Sequence, residues 1–492
     1  MLPDIGRLRG RVGRFRGLRL VHTHLKGEPL TADDLNDLAL LRLDMVAMVE
    51  VIKDGRPGRV EAVYLDPSML VVGDDVSGNS AKQSSVPLDP FLHARARNVQ
   101  ELNLDFQSTI AALEDEFARA VGSTAGAPGT ERALVIGIQP DDDHLAETLQ
   151  LVRSADVIIA GTSRQRRHRI HPKTIVGRGK LQEIVLEAMR RNAEVAIFDI
   201  DLKPAQARAF EDATGLKAID RTQLILDVFA QRARSGDGKL QVELAQLRYS
   251  LPRLTEKDAG LSRLTGGIGG RGPGETVMEI GRRRIRDRIR ALEKRVEKLS
   301  KQRDIRRQRR RREGIPVLSI IGYTNAGKST LLNALTNSDV EAANKLFMTL
   351  DPTSRRLRFP RQGKVIITDT VGFIADLPED LIVAFRATLE ELADADLLLH
   401  VIDAADPRID KKIVAVESLL DDLELRHVPI LRVLNKIDLL PDDHTNALAR
   451  RFKATAVSAV DRSGLETLMR TAEKRLSRGS FDPTYTAPNL AG

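Results

Sequence analysis

The chain contains no cysteine and no tryptophan, and aromatic residues make up only 3% of it. Without cysteine there are no disulfides and no thiolate metal ligands, which fits a reducing compartment. With so few aromatics, stacking of nucleic-acid bases on ring platforms is disfavoured as a main binding mode, and phosphate contacts take its place. No apolar run reaches the roughly 18 residues that a membrane-spanning helix needs. The basic N-terminus lacks the apolar stretch and small-residue cleavage site of a secretory signal. The expectation is a cytoplasmic protein with no membrane span.

What is present is length, charge and pattern. At 492 residues the chain is too long for one core, and about three domains of roughly 150 residues each are expected. The net charge is +8, but one segment holds the excess: residues 282–312 carry 17 Lys/Arg against 4 Asp/Glu, a local net of +13. The rest is therefore about −5. A polyanion such as RNA is the natural partner for that segment, and a solvated charged helix is the plainer reading.

Residues 1–125 are the least legible. Leu35, Leu38, Leu41 and Met45 have helical spacing, 59–64 alternates like a strand, 73–85 reads as a loop, and 99–121 reads as a helix. His22 and His24 form a His-x-His pair. With no third ligand at a telling spacing, it reads as a packed or surface pair rather than a metal site.

From 130 to 235 strand and helix patterns alternate. Strands are expected at 133–138, 157–160 and 195–199, and helices at 180–191 and 204–214. This rhythm predicts a small parallel sheet. Its loops hold Arg164, Arg166, Arg167, His168 and Arg169, and a turn from Gly177 to Lys180. These are candidate phosphate ligands, although the full phosphate-loop pattern is missing.

In 236–312, Leu240, Leu244, Leu247 and Leu251 make a helical stripe. Ile285, Ile289, Leu292, Val296 and Leu299 follow coiled-coil spacing. Seven glycines lie between them, from Gly260 to Gly274. The simplest shape is a long antiparallel helical hairpin with a glycine-rich tip. Arg263 and Arg271 at the tip, and Arg282, Arg283 and Arg284 beside it, are the candidate RNA contacts. The tip formally matches G-x-G-x-x-G, but no strand precedes it, so a dinucleotide site is rejected.

The nucleotide motifs occupy 313–476. An apolar strand at 317–321 runs into Gly322, Tyr323, Thr324, Asn325, Ala326, Gly327, Lys328 and Ser329, followed by a helix. This is a phosphate loop in its required strand–loop–helix context. Its N–H groups would cradle phosphates, Lys328 would neutralise the β/γ oxygens, and Ser329 would ligate Mg²⁺. Asp369, Thr370, Val371 and Gly372 follow a second strand; Asp369 would reach Mg²⁺ through water and Gly372 the γ-phosphate. Asn435, Lys436, Ile437 and Asp438 follow a third. The Asp438 carboxylate matches the N1 and N2 donors of guanine, which adenine lacks, so GTP is selected over ATP. Ser458 and Ala459 would touch the guanine oxygen. Between the first two motifs stand Phe347, Met348, Thr349, Leu350 and Asp351, and Thr349 would be the switch ligand to Mg²⁺. Phe373 occupies the place where a glutamine would orient the attacking water. Slow intrinsic hydrolysis is expected. Lys328, Thr349 and Gly372 are the candidate catalytic groups.

With these residues in view, the chain resembles the HflX family of ribosome-associated GTPases over roughly 130–475. The carriers are HPKTIVGRGK at 171–180, DRTQLILDVFAQRAR at 220–234, KLQVELAQL at 239–247, GGIGGRGPGET at 266–276, GYTNAGKS at 322–329 and FMTLDPT at 347–353. Two places depart from the family pattern. Met348 replaces an alanine, and VMEIG at 277–281 stands where the family continues QLETD. The family, too, has a hydrophobic residue at the position of Phe373. The resemblance implies a GTPase that binds the large ribosomal subunit and its RNA and dissociates or rescues stalled ribosomes. It also implies that the hairpin reaches toward the peptidyl-transferase region. An ATP-dependent RNA remodeller acting through the N-terminal domain is the alternative, and a non-enzymatic RNA-binding scaffold a third. The expected architecture is α/β: an extension at 1–125, an α/β subdomain at 130–235, the hairpin at 236–312, a P-loop GTPase domain at 313–476 and a tail at 477–492. The expected state is a monomer that exchanges GTP and GDP.

Overall fold

The computed structural model describes residues 17–41, 43–65, 91–102, 104–123, 131–165, 170–191, 193–254, 277–312, 315–336, 347, 353–359, 364–369, 372–374, 381, 390–425 and 427–479. The chain divides into two compact units, Met1–Leu224 and Ile225–Gly492.

The first unit holds two four-stranded sheets. In one, β1 (Arg19–His24), β2 (Met45–Val51), β3 (Pro57–Leu65) and β4 (Phe91–Ala96) lie in sequence order. β1 and β2 are parallel, and the other pairs are antiparallel. A parallel pair cannot be joined by a tight turn, so the helix α1 (Ala32–Leu40) makes the crossover. Met45 does not continue the helical stripe. The helix has already ended, and Met45 opens the strand MVAMVEV. Four leucine and methionine positions are too few to separate a helical period from a helix running into a strand. The 99–121 helix is likewise split. Val99–Glu101 is a short 3₁₀ turn, and α2 (Phe106–Ser123) starts after Asp105, whose carboxylate accepts from Ser108 N at 3.2 Å. The 73–85 loop lies outside the described residues.

The other sheet is wholly parallel, with order β6-β5-β7-β8. Its strands are β5 (Arg132–Gly137), β6 (Ile158–Arg164), β7 (Val195–Phe198) and β8 (Lys217–Ile219). They alternate with α3 (Asp142–Ser154), α4 (Arg178–Arg190) and α5 (Pro204–Thr214). The apolar run of β5 is buried because helices cover such sheets on both faces. Helix α4 serves two cores at once. Leu181, Ile184 and Ala188 pack with Phe198 and Phe210, while Val185 and Met189 pack with Leu38, Val46 and Val63 of the first sheet.

The second unit begins within α6 (Arg221–Arg232) and continues with α7 (Gly236–Ser250) and α8 (Val277–Arg312). Ser235 caps α7 by accepting from Gly238 N at 2.8 Å. α7 and α8 pack through Leu244, Ile289 and Leu292, flanked by Leu240, Leu247, Leu251, Ile285 and Val296. Leu299, the last position of the expected seam, is outside this cluster. Ion pairs Arg248–Glu293 and Arg288–Glu243 flank the seam. The glycine-rich segment lies outside the described residues.

The nucleotide domain is a six-stranded sheet of order β10-β11-β9-β12-β13-β14. Its strands are β9 (Val317–Gly322), β10 (Thr353–Arg358), β11 (Lys364–Asp369), β12 (Leu397–Asp403), β13 (Ile430–Asn435) and β14 (Thr455–Ala456). Only the β10–β11 pair is antiparallel. Helices α9 (Lys328–Thr336) and α12 (Leu465–Gly479) cover one face, and α10 (Ile409–Asp422) and α11 (Asp442–Phe452) the other. Sequence order runs one way from β9 to β11 and the other way to β12. In open parallel sheets such a reversal leaves a ligand crevice beyond the carboxyl ends of the strands. The loop 322–329 sits there.

Candidate nucleotide site

β9 is buried along its whole length and delivers Gly322 against β12. Gly322 has φ +148°, and a Cβ there would lie 2.2 Å from Val401 O, so only glycine fits. Gly327 has φ +89°, and a Cβ would lie 2.3 Å from Asn435 Nδ2. The second glycine therefore exists so that the phosphate loop can touch the guanine-side motif. Asn435 is buried and joins the two halves of the pocket. Its Nδ2 donates to Ala326 O at 3.0 Å, and its Oδ1 accepts from Ala459 N at 3.1 Å.

Lys328 is buried, and its Nζ donates to Gly322 O at 3.1 Å and Tyr323 O at 2.9 Å. Burial pushes its pKa down to about 8, against the opposing pull of Asp369. Ser329 Oγ donates to Asp369 Oδ2 at 2.8 Å, and Asp369 is fully buried. A hydroxyl and a buried carboxylate side by side form a hard-oxygen donor set, which fits Mg²⁺. A Cβ on Gly372 would lie 3.0 Å from Lys328 Nζ. The 322–329 and 369–372 motifs thus converge at the lysine ammonium.

Phe373 is bonded back onto the phosphate loop through its main chain. Phe373 N donates to Gly322 O at 3.1 Å, and Thr324 N donates to Phe373 O at 2.7 Å. Its side chain is buried. Asn325 has φ +63°, and Tyr323 is buried with Lys412 Nζ 4.7 Å from its ring centroid. On the base side, Lys436 has φ +64° and donates to Asp403 Oδ2 at 2.7 Å. Ile437 and Asp438 follow in a short 3₁₀ turn, with Asp438 exposed. Ser458 is fully buried, and its Oγ accepts from Asp461 N at 3.0 Å. Met348, Thr349, Leu350, Asp351, Thr370 and Val371 lie outside the described residues, as do Arg263 and Arg271. Phe347 is described. Its buried ring stands edge-on to Phe229 of α6, centroids 4.6 Å apart. Arg282 donates to Leu254 O at 3.1 Å, and Arg283 and Arg284 are exposed.

Sequence reasoning missed Asp403 and His400. Asp403 ends β12 and orients Lys436; its signal was its place at the carboxyl end of a strand. His400 is buried in the central strand beside Arg432. Burial, then Arg432 and Lys328, push its pKa down to about 3, so it stands neutral. Nothing in the linear pattern marks it.

In the first unit, Arg164, His171 and the turn Gly177 to Lys180 line an open cleft of 1290 Å³. Among the described residues its Arg and Lys side chains already have carboxylates: Arg164 with Asp142, Arg178 with Asp33 and Lys180 with Glu183; Arg166, Arg167, His168 and Arg169 lie outside the described residues. The described part of this cleft thus differs from the loop 322–329, where main-chain N–H groups and Lys328 face the pocket.

Fold and site together define a P-loop protein that binds guanine nucleotides and hydrolyses GTP. Family models agree: GTP-binding GTPase N-terminal over 142–230, GTP-binding GTPase Middle Region over 232–310, and 50S ribosome-binding GTPase over 317–436. The GTPase HflX of Caldanaerobacter subterraneus subsp. tengcongensis is 48% identical over 364 residues, 73% of this chain and 83% of that protein. The GTPase HflX of Escherichia coli is 46% identical over 373 residues, 74% and 87% of the two chains. The chain belongs to the HflX family of GTPases. Among solved structures, a GTP-binding protein from Sulfolobus solfataricus in complex with GDP is 23% identical, with TM-score 0.41, covering 71% of this chain and 99% of its own. Among the described residues, no helix is long and apolar enough to cross a membrane.

Proposed function

We propose that GTP binding switches this protein onto the large ribosomal subunit, where it dissociates or rescues stalled ribosomes, and that hydrolysis releases it. The observation that carries this reading is the main-chain pairing of Phe373 with Gly322 and Thr324. A γ-phosphate bound between Lys328 and the Gly372 N–H would compete for that place, so its arrival opens the pairing and its loss restores it. The third motif then reports the nucleotide.

The site residues divide the work in this scheme. Main-chain N–H groups of 324–329 and the start of α9 hold the phosphates. Lys328 places a charge on the β/γ oxygens. Ser329 and Thr349 would hold Mg²⁺, with Asp369 behind Ser329; the ion, when bound, neutralises charge on the phosphate oxygens. Asp438 reads guanine N1 and N2, Asn435 locks the base loop to the phosphate loop, and Ser458 and Ala459 cover the guanine oxygen. Phe373 offers no polar atom on its side chain to orient water, so the ribosome or a residue it moves completes the reaction. The excess charge of α8 meets rRNA phosphates, and the glycine-rich segment with Arg263 and Arg271 enters the RNA. The domain organisation expected from sequence, with a hairpin at 236–312, is part of this reading.

The test is cosedimentation with isolated large subunits in a non-hydrolysable GTP analogue, in GDP and in ATP. The analogue should retain at least tenfold more protein than GDP. GTP turnover should rise at least tenfold on adding the subunits. Equal retention in all nucleotides, or turnover indifferent to the subunits, refutes the proposal.

A further inference from the structure

β1 presents its side chains alternately, so His22 and His24, two residues apart, share one face of the strand. That face is the half-buried one, and it looks toward the start of α1. There Thr31 and Asp34 cap the helix reciprocally. Thr31 N and Thr31 Oγ1 each donate to Asp34 Oδ2 at 2.7 Å, and Asp34 N donates to Thr31 Oγ1 at 3.3 Å. One carboxylate oxygen is thereby held by the cap. The other, Oδ1, is turned to His22 Nε2 at 3.5 Å.

The tautomer of His24 follows from its partner. Its Nδ1 lies 2.8 Å from Glu28 O, and a carbonyl only accepts, so Nδ1 carries the proton. In the neutral ring Nε2 then has a bare lone pair. That lone pair points at His22 Nε2, 3.0 Å away. Two imidazole nitrogens and a carboxylate oxygen therefore converge, all within 4.8 Å of one another. An N–H directed to a carbonyl is also how metal-binding histidines are commonly oriented.

We propose that His22, His24 and Asp34 form a site for one divalent transition-metal ion of the zinc class, remote in sequence from the nucleotide motifs. The donors are two imidazoles and one carboxylate, the set that suits Zn²⁺ and its neighbours rather than Mg²⁺ or Ca²⁺. Tetrahedral ligands about 2.0–2.1 Å from zinc stand about 3.3 Å from each other. The His22–Asp34 spacing of 3.5 Å is already within a few tenths of an ångström of that, the His22–His24 spacing of 3.0 Å opens by a similar amount, and the His24–Asp34 pair, within 4.8 Å, closes by rotation of the side chains. Among the described residues no fourth His, Asp or Glu joins the group, so water fills the remaining position. Bound metal would staple β1, at the edge of its sheet, to α1. In a chain without cysteine it supplies a cross-link that redox conditions leave alone.

The test uses tag-free full-length protein, stripped with chelator and kept in Mg²⁺ and GDP so that the nucleotide site is occupied. Titration calorimetry with Zn²⁺ should show one ion per chain with Kd of micromolar or lower. Co²⁺ should give visible absorption of a four- or five-coordinate N/O site, and Zn²⁺ should raise the melting temperature of the wild type. His22→Gln and His24→Gln should each weaken Zn²⁺ binding at least tenfold while leaving GTP turnover and circular dichroism unchanged. Asp34→Asn, which can still cap the helix, should weaken it similarly. Absence of stoichiometric binding by the wild type overturns the proposal without reference to any variant. Binding that persists undiminished in the His22→Gln/His24→Gln double variant overturns it equally.

Discussion

Lys328 illustrates how one residue can be poised by the pocket that contains it. Its Nζ is buried among main-chain carbonyls, with Asp369 as the charge that favours its protonated form. Burial costs the ammonium more than this attraction returns, and the pKa falls to about 8. An incoming phosphate supplies the missing negative charge and raises the pKa again. The sign follows by linkage: the ligand-free lysine is charged below pH 8 and loses its proton above it, whereas the complex retains it. GTP and GDP affinity should therefore be flat between pH 6.5 and 7.5. It should fall toward a limit of about tenfold per pH unit above pH 8. Fluorescent-nucleotide titration across pH 6.5–9.5 measures this. Lys328→Arg, which stays charged, should lose affinity at neutral pH yet remove the alkaline decline. A decline equally steep in Lys328→Arg would assign it to another group.

At the scale of elements, the contact between Phe229 and Phe347 ties α6 to the segment that leads into Thr349. Both rings are buried, and edge-on aromatic pairs contribute about 0.5–1.5 kcal/mol beyond the area they bury. α6 runs almost directly into α7, which packs on the basic α8. A movement at Phe347 thus has a route to the cationic helix through α6, the short chain connection to α7 and the α7–α8 seam. Phe229→Leu shortens a buried side chain and removes the ring pair, and should cost about 1–3 kcal/mol in stability while keeping the site apolar. The expected outcome is GTP and GDP affinities within about threefold of wild type, with the nucleotide dependence of large-subunit binding reduced about tenfold. This is checked by nucleotide titration and cosedimentation on the same preparation. Retained nucleotide dependence would show that coupling runs elsewhere.

At the scale of the whole molecule, charge is segregated. Residues 282–312 are +13 in a chain of net +8, so the rest of the chain nets about −5 and α8 is the largest concentration of positive charge for a polyanion to meet. Surface ion pairs such as Arg290–Asp287 and Lys301–Glu297 neutralise little of it. Association with ribosomal RNA should weaken linearly on a log–log plot against salt, with a slope proportional to the phosphates neutralised. Arg284→Ala/Arg286→Ala should lower that slope by about 1.5 without altering GTP affinity, as measured by filter binding between 50 and 200 mM salt. An unchanged slope would place the RNA contact off this helix.

Much of this was readable before any fold was known. The residues of 322–329, 369–372 and 435–438 announced their chemistry because phosphate and guanine recognition demand particular residue types at close spacing, next to buried apolar strands. The α7/α8 stripes announced themselves through period alone. Local pattern also set the parallel sheet of 130–235, since its inner strands β5 and β7 are buried and apolar while helical patterns alternate between them. What linear order did not contain is proximity across distance. Met45 looked helical until β2 claimed it. Asn435 as a clamp on Ala326, Asp403 under Lys436, neutral His400 in the central strand and Phe347 against Phe229 all join residues more than 30 positions apart or depend on burial, neither of which has a sequence period. The same holds for Asp34, ten positions beyond His24 on another element. Spacing along the chain defines what a motif can do, whereas only the folded chain decides what it touches, because packing brings together side chains whose separation in sequence carries no signal.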